Sequence, residues 1–254
     1  MPEPNLIHCS YHKCLTVYYK RVMHAVFNRC LPLGGGYAHH NSHLADFYGA
    51  FERLRVASVN NRCLDLERLG RFRLSRFVRD PRDLLVSGFF YHRRGAEAWV
   101  TQPAPTEDDW YFANAAPPEA LRGQSISYAE HLQSLSDEDG LLAELEVRTR
   151  HFDSMAAWPE EHPDIVTFRY EDILGNEERV FGELFEHYGL GPVARGLGGF
   201  FVRRYSLKGR AKANDPHVRN PTSGQWREHF TPKVRAAFNE RYGDLVERLG
   251  YPRS

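Results

Sequence analysis

Short apolar runs alternate with longer stretches of helical period along this chain. Asn5–Cys9, Arg55–Val59, Leu74–Val78 and Asp164–Arg169 read as strands, and Leu6 to Cys9 as a buried one. Between them the period lengthens. Val17 to Phe27 is apolar-rich and reads as a helix. After Asp139-Gly140, apolar positions recur at Leu141, Leu142, Leu145, Phe152, Met155 and Ala156, which predicts a helix as far as Trp158. Asn176 to Leu190 repeats the pattern with Val180, Phe181, Leu184, Phe185 and Tyr188, and stops near Gly189. Pro232 to Leu249 closes the chain with Val234, Ala237, Phe238, Leu245, Val246 and Leu249. Strand and helix in alternation predict an α/β fold, with a central, mainly parallel sheet flanked by helices, over one domain of residues 1–254. The apolar stripes are its core.

Two stretches break the rhythm. Residues 95–138 carry Pro103, Pro105, Pro117 and Pro118 among Trp99, Trp110, Tyr111 and Phe112. They read as a long irregular segment, an acceptor-binding or lid insertion, with simple packing of the aromatics as the other reading. Residues 203–218 are basic, with Arg203, Arg204, Lys208, Arg210 and Lys212. Residues 203–230 read as a loop that covers a cofactor, or as a solvated charged loop.

The candidate chemistry begins at the first strand. Ser10-Tyr11-His12-Lys13-Cys14-Leu15-Thr16-Val17 links it to the first helix. A strand, a tight loop and a helix N-terminus aim backbone N–H groups and the helix dipole at an anion, and Lys13 and Thr16 add a charge and a hydroxyl. A second piece has the same logic: the apolar stretch at Phe77-Val78 ends in Arg79. Asp80 caps a helix with Pro81 in its first turn, and Ser87 follows. A guanidinium fork suits a phosphate. The third piece runs from Arg219 to Phe230, with Asn220-Pro221 and Ser223-Gly224 marking a loop. Thr231 then caps a last helix that starts at Pro232.

In this order the three pieces resemble a sulfotransferase that uses 3′-phosphoadenosine 5′-phosphosulfate (PAPS). Ser10 to Val17 resembles the family's 5′-phosphosulfate loop, T-Y-P-K-S-G-T-T. Arg79 to Asp83, with Ser87, resembles R-N-P-K-D with its later Ser, the 3′-phosphate motif. Arg219 to Phe230 resembles R-K-G-x-x-G-D-W-K-x-x-F, and Phe168 to Ile173 the Y-E-D-hydrophobic stretch that ends a central strand. The resemblance spans residues 5–232. It implies a P-loop NTPase-like sulfotransferase fold, PAPS as donor and 3′-phosphoadenosine 5′-phosphate (PAP) as product. It also implies transfer to a hydroxyl or amine of a small-molecule or carbohydrate acceptor, with no metal required. His12, Lys13, Cys14, Leu15, Thr16 and Val17 would hold the 5′-phosphosulfate, Arg79, Ser87 and Arg219 the 3′-phosphate, and Tyr170 the adenine. Lys13 would stabilise charge on the leaving oxygen and the sulfuryl group.

The departures are specific. His12 stands for the loop Pro, Leu15 for its Gly and Val17 for its second Thr, and Asn220-Pro221 replaces Lys-Gly. Leu15 removes the residue best suited to unusual backbone angles. The K-T-H-L histidine that serves many soluble relatives as base is missing, because the region reads Ala57-Ser58-Val59-Asn60-Asn61. Other branches of the family place a Glu or His between the first helix and the second strand, where this chain has His39, His40, His43 and Asp46, with His40 or His43 preferred and Asp46 next; His92 is a further candidate base, more at home as a structural residue. His39, His40 and His43 also have a spacing that zinc can use, though nothing completes the set. Two other functions share the opening loop. A P-loop kinase or hydrolase would need G-x-x-x-x-G-K-[ST], and Gly34-Gly35-Gly36 has no following Gly-Lys. A non-catalytic module that binds PAP or PAPS would need no base.

Composition narrows this further. The 254 residues carry 33 cationic and 33 acidic side chains, a balance unlike that of a general nucleic-acid or membrane-surface binder. Only five of the cations are Lys. Cys9, Cys14, Cys30 and Cys63 have neither zinc spacing nor a disulfide framework. With no long apolar run and no signal peptide, the expected setting is soluble, reducing and cytoplasmic. The oligomeric state stays open.

Overall fold

A computed structural model describes residues 3–31, 35–206 and 222–253. In chain order, β1 (Asn5–Ser10) leads to α1 (Thr16–His24) and a π turn (Ala25–Cys30). Next come β2 (Tyr37–His40), α2 (Leu44–Ala50), β3 (Val56–Asn60), a 3-10 turn (Leu66–Leu69) and β4 (Phe72–Val78). Six helices follow: α3 (Pro81–Arg93), α4 (Ala98–Thr101), α5 (Glu107–Ala113), α6 (Tyr128–Ser134), α7 (Asp137–Val147) and α8 (Thr149–Ala156). Then come β5 (Ile165–Arg169), α9 (Tyr170–Ile173), α10 (Glu177–His187), α11 (Pro192–Arg204), α12 (Trp226–His229) and α13 (Pro232–Arg248).

The strands form one parallel sheet in the order β2-β3-β1-β4-β5. Ser10 of β1 lies opposite Asn60 of β3 and Phe77 of β4, and Val78 lies opposite Arg169 of β5. Parallel pairing puts every C-terminal strand end on one edge, where α/β sheets bind ligands. The fold class expected from the strand–helix alternation is therefore the one observed.

The chain divides into two compact units. One holds the sheet with α1, α2 and α9–α11 (residues 1–60, 64–79 and 159–222); the other holds α3–α8, α12 and α13 (residues 61–63, 80–158 and 223–254). Beneath α1, the first unit buries a polar chain. His8 Nδ1 donates to Ser75 Oγ (2.7 Å), Ser75 bonds the Tyr188 hydroxyl (2.7 Å), and Tyr188 donates to the Ile7 carbonyl (2.7 Å). Burial above all, with His39 nearby, holds the His8 pKa well below the ordinary histidine value, so the ring is neutral and can stack on Tyr19 at 3.7 Å.

The second unit is pinned by Glu144, which is fully buried. Its carboxylate accepts from Tyr128 Oη (2.8 Å), His92 Nδ1 (2.9 Å) and Arg148 Nε (2.9 Å). Arg148 Nη2 donates to His92 Nε2 (2.8 Å), which fixes the tautomer. Burial alone would raise the Glu144 carboxyl; His92 and Arg148 overcome it and hold the pKa at about 2. His92 is thus a structural residue. Gly88 makes room for the network: a Cβ there would lie 2.6 Å from Glu144 Oε1.

Three expectations about local structure change. Residues 95–138 hold α4, α5, a 3-10 turn (Glu119–Leu121) and α6 instead of one irregular stretch. Two reciprocal caps explain this, Thr106 with Asp109 and Ser127 with Glu130. Trp99, Trp110 and Tyr128 pack on one another there with centroids 5.4–6.0 Å apart, while Tyr111 and Phe112 are exposed. The long helix to Trp158 is two helices, α7 and α8, broken at Arg148 (ψ 4°), whose buried guanidinium joins the Glu144 network. β2 is an edge strand formed by residues whose histidines read only as chemistry.

Candidate active site at the carboxyl edge of the sheet

The loop after β1 is strained. Lys13 (φ 65°) and Leu15 (φ 62°, ψ 17°) both adopt the left-handed region. Each such residue costs a side-chain-bearing position on the order of 1–2 kcal/mol. Losing the glycine therefore does not abolish the turn: Leu15 takes the glycine-like backbone and caps α1, its carbonyl accepting from Tyr19 N (3.0 Å). Cys14 N donates to the Tyr11 carbonyl (2.9 Å) and closes the loop, so that N–H is used internally. The Thr16 and Ser10 hydroxyls bond each other at 2.7 Å. Strain of this kind is held where the surroundings fix a binding geometry.

Two half-buried side chains, Lys13 and Thr16, face the same loop; His12 and Val17 are half-buried beside them. Cys14 is fully buried. Burial pushes its thiol up to about 12, against the pull of Arg79 and Lys13 and with a further push from Glu171. It stays a protonated thiol at neutral pH and is no nucleophile.

Arg79 follows β4 directly and is 2% exposed. Its guanidinium carbon lies 4.3 Å above the Tyr170 ring, and Nη2 donates to the Thr222 carbonyl (3.4 Å). Nε is buried with no hydrogen-bond partner, and among the described residues no carboxylate pairs with this cation. Buried cations are ordinarily paired, since desolvating one alone is costly. Among the described residues, then, nothing neutralises this positive charge at the strand end next to the loop. Tyr170, opening α9, is itself buried.

The candidate bases lie on and after β2. Ser42 anchors this turn to β3, its N donating to Asn60 Oδ1 (3.3 Å) and its hydroxyl to the Asn60 carbonyl (3.3 Å). His40 is half-buried, edge-on to Phe47, with a buried Nε2 that has no hydrogen-bond partner. Burial lowers its pKa; Asp46 opposes this and His43 assists. His43 precedes α2 and Asp46 lies in its first turn, both exposed. His39 is fully engaged: Nδ1 accepts from Ser58 (2.8 Å) and Nε2 donates to Asn41 Oδ1 (2.9 Å). With both ring nitrogens used, His39 supplies no lone pair to a metal, which removes one member of the zinc spacing.

The second unit, taken by itself, holds other residues of the motifs. Ser87 is half-buried on α3. Asp80 caps that helix and clasps Arg82 with both oxygens (2.9 and 2.7 Å). Asp83, given no role by the sequence reading beyond its place in the motif, accepts from Gly224 N (2.5 Å) and Trp226 N (2.9 Å) and so organises the start of α12. An acidic side chain inside an apolar helix turn is the signal that marks it. Arg219, Lys208, Arg210 and Lys212 lie outside the described residues. No described helix is long and apolar enough to cross a membrane.

No protein-family model matches the chain, and no curated protein does. Solved structures match it end to end. A mouse sulfotransferase complexed with PAP aligns with 99% of this chain and 87% of its own, at 18% identity and a TM-score of 0.50. Retinol dehydratase in complex with androsterone and the inactive cofactor PAP aligns with 100% and 85%, at 15% identity and a TM-score of 0.54. With its five parallel strands, its loop after β1 and its arginine after β4, the chain has the sulfotransferase fold.

Proposed function

We propose that this protein is a PAPS-dependent sulfotransferase, transferring a sulfuryl group to a hydroxyl or amine of a small-molecule or carbohydrate acceptor. The observation that carries the reading is Arg79, a buried guanidinium at the strand end beside the Lys13–Leu15 loop with no carboxylate partner among the described residues. A dianionic 3′-phosphate would neutralise it and occupy its unused Nε–H. The PAP named in both matched structures is of that chemistry.

In this scheme the loop N–H groups, Thr16 and Lys13 receive the 5′-phosphosulfate. Sulfuryl transfer, like phosphoryl transfer, asks for alignment and charge stabilisation more than covalent work. Lys13 stabilises charge that builds on the departing phosphate oxygen. Arg79 and Ser87, with Arg219, hold the 3′-phosphate, and Tyr170 meets the adenine. His40 is the favoured base. Its lowered pKa leaves it neutral at pH 7, and its buried Nε2 has no hydrogen-bond partner to compete for the acceptor proton. His43 and Asp46 stand in reserve as exposed alternatives.

Calorimetric titration of PAP without divalent metal, with ATP as control, tests the reading. Micromolar binding, selective over ATP and weakened in Arg79→Ala, supports it. Absence of binding, or preference for ATP with magnesium, overturns it.

A further inference from the structure

The outward side of α1 carries a second concentration of positive charge. A cavity of about 440 Å³ opens between α1, the π turn, β2 and the residue after α11. Lys20, Arg21 and His24 line it from α1, Arg29 from the π turn, and Tyr37 and His39 from β2, with Tyr205 completing the wall. Its size falls within the ~300–1,000 Å³ usual for small-molecule sites. Among the described residues no aspartate or glutamate lines it.

Four other cations of the same unit behave differently. Arg55, Arg169, Arg179 and Arg203 each sit on a carboxylate: Glu3, Asp172, Glu183 and Glu178. Lys20 is half-buried, and burial lowers its pKa; neither it nor Arg29 has an ion-pair partner among the described residues. Two such cations on one concavity, Lys20 and Arg29, repel each other, and an anion in the cavity relieves that cost.

The wall is rigid. Tyr37 donates to Ser58 (2.6 Å), Ser58 to His39 Nδ1, and His39 Nε2–H to Asn41. His39 is therefore neutral and fixed, and Tyr37 and Tyr205 offer ring surface next to the charges. Lys20 sits one turn beyond Thr16, about 6 Å along the helix axis. The cavity thus runs down the flank of α1, away from the loop that precedes it.

We propose that this cavity is a second anion site, which binds a small organic phosphate or sulfate monoester, the charged head on Lys20 and Arg29 and the organic body against the two tyrosines. The site stands on its own residues and does not depend on the PAPS reading.

The test uses 4-nitrophenyl phosphate and 4-nitrophenyl sulfate as probes, with 4-nitrobenzyl alcohol as the neutral control. Each is titrated calorimetrically into the wild type, Lys20→Gln/Arg29→Gln and Arg79→Ala; thermal unfolding checks that each variant is folded. At least one anion binds the wild type and Arg79→Ala alike, and binds the double variant at least tenfold more weakly, while the alcohol does not bind. The ratio of the two anions says which head group is preferred. Four outcomes overturn the proposal: no saturable binding of either anion at millimolar concentration, equal binding to the double variant, loss of binding in Arg79→Ala, or equal binding of the neutral alcohol. A single conservative variant, Lys20→Arg, retains the charge and restores binding; if it binds as weakly as the double variant, charge is not what the cavity reads.

Discussion

Arg79 lies with its guanidinium carbon 4.3 Å above the Tyr170 ring, buried, and with no carboxylate among the described residues to balance it. The ring face and the Thr222 carbonyl hold the side chain in place without cancelling its charge. Binding and stability therefore pull in opposite directions at this residue. Arg79→Met keeps the bulk and removes the desolvated cation. PAP affinity should fall at least tenfold, the order expected for a charge-assisted hydrogen bond of ~1.5–3 kcal/mol. Thermal unfolding of the unliganded variant should occur at the same temperature or higher. A lower unfolding temperature with PAP affinity intact would contradict both halves.

Leu15 offers a test of backbone strain. A β-branched side chain tolerates a positive φ worse than Leu does, and Gly tolerates it best. Leu15→Val should be less stable than Leu15→Gly by about 1–2 kcal/mol in denaturant unfolding. Equal stabilities would mean that the loop is not left-handed at this position.

His40 gives a pH signature. In the proposed reaction the neutral ring is the proton acceptor, so turnover should fall as pH drops through its pKa. Burial sets that pKa below the ordinary 6.5. The acidic limb of kcat/KM should therefore lie below 6.5, and it should vanish in His40→Ala, with kcat down by roughly 10²–10⁴ and PAP affinity unchanged. An unaltered limb in His40→Ala would shift the role to His43 or Asp46.

Glu144 makes the second unit acid-sensitive. Its pKa falls from the ordinary 4.5 in the unfolded chain to about 2 in the folded one. The unfolded state then binds the extra proton first, so this contribution is complete above about 4.5 and is lost as pH falls towards about 2. Glu144→Gln should flatten the stability profile across that window, read by denaturant unfolding at stepped pH.

Gly88 is the packing counterpart. Its missing side chain admits Glu144 Oε1, and an added Cβ would be 2.6 Å away. Gly88→Ala should lower stability by about 1–3 kcal/mol through overpacking, despite the better helix propensity of Ala. A stabilised Gly88→Ala would show that the network has slack.

Much of the sheet was legible because its strands are continuous apolar runs that end in a change of chemistry. The strand β1 and the Lys13 loop, like β4 and Arg79, announce themselves this way. β2 did not, since Tyr37-Ala38-His39-His40 is a short, half-buried edge strand whose histidines mask its pattern. The sequence offered His39, His40 and His43 together; only hydrogen bonds tell the pinned His39 ring from His40, whose buried Nε2 has no partner. The break at Arg148 was hidden for the opposite reason. The helical spacing continues through it, and the interruption arises from a long-range charge network. The capping boxes at Thr106 and Ser127 were readable, and would have converted residues 95–138 from loop to helices. Arg219 lies outside the described residues, and its part rests on the resemblance alone.

The strand order also sets a timetable. The loop after β1 precedes in the chain every strand that pairs with β1, so β1, at the centre of the sheet, waits for neighbours encoded later. Arg79 arrives with β4, and Tyr170 only after β5. Non-local parallel pairings of this kind form slowly. A nascent chain halted short of Tyr170 therefore carries the loop motif without β5 and without Tyr170, one of the residues proposed to share its ligand.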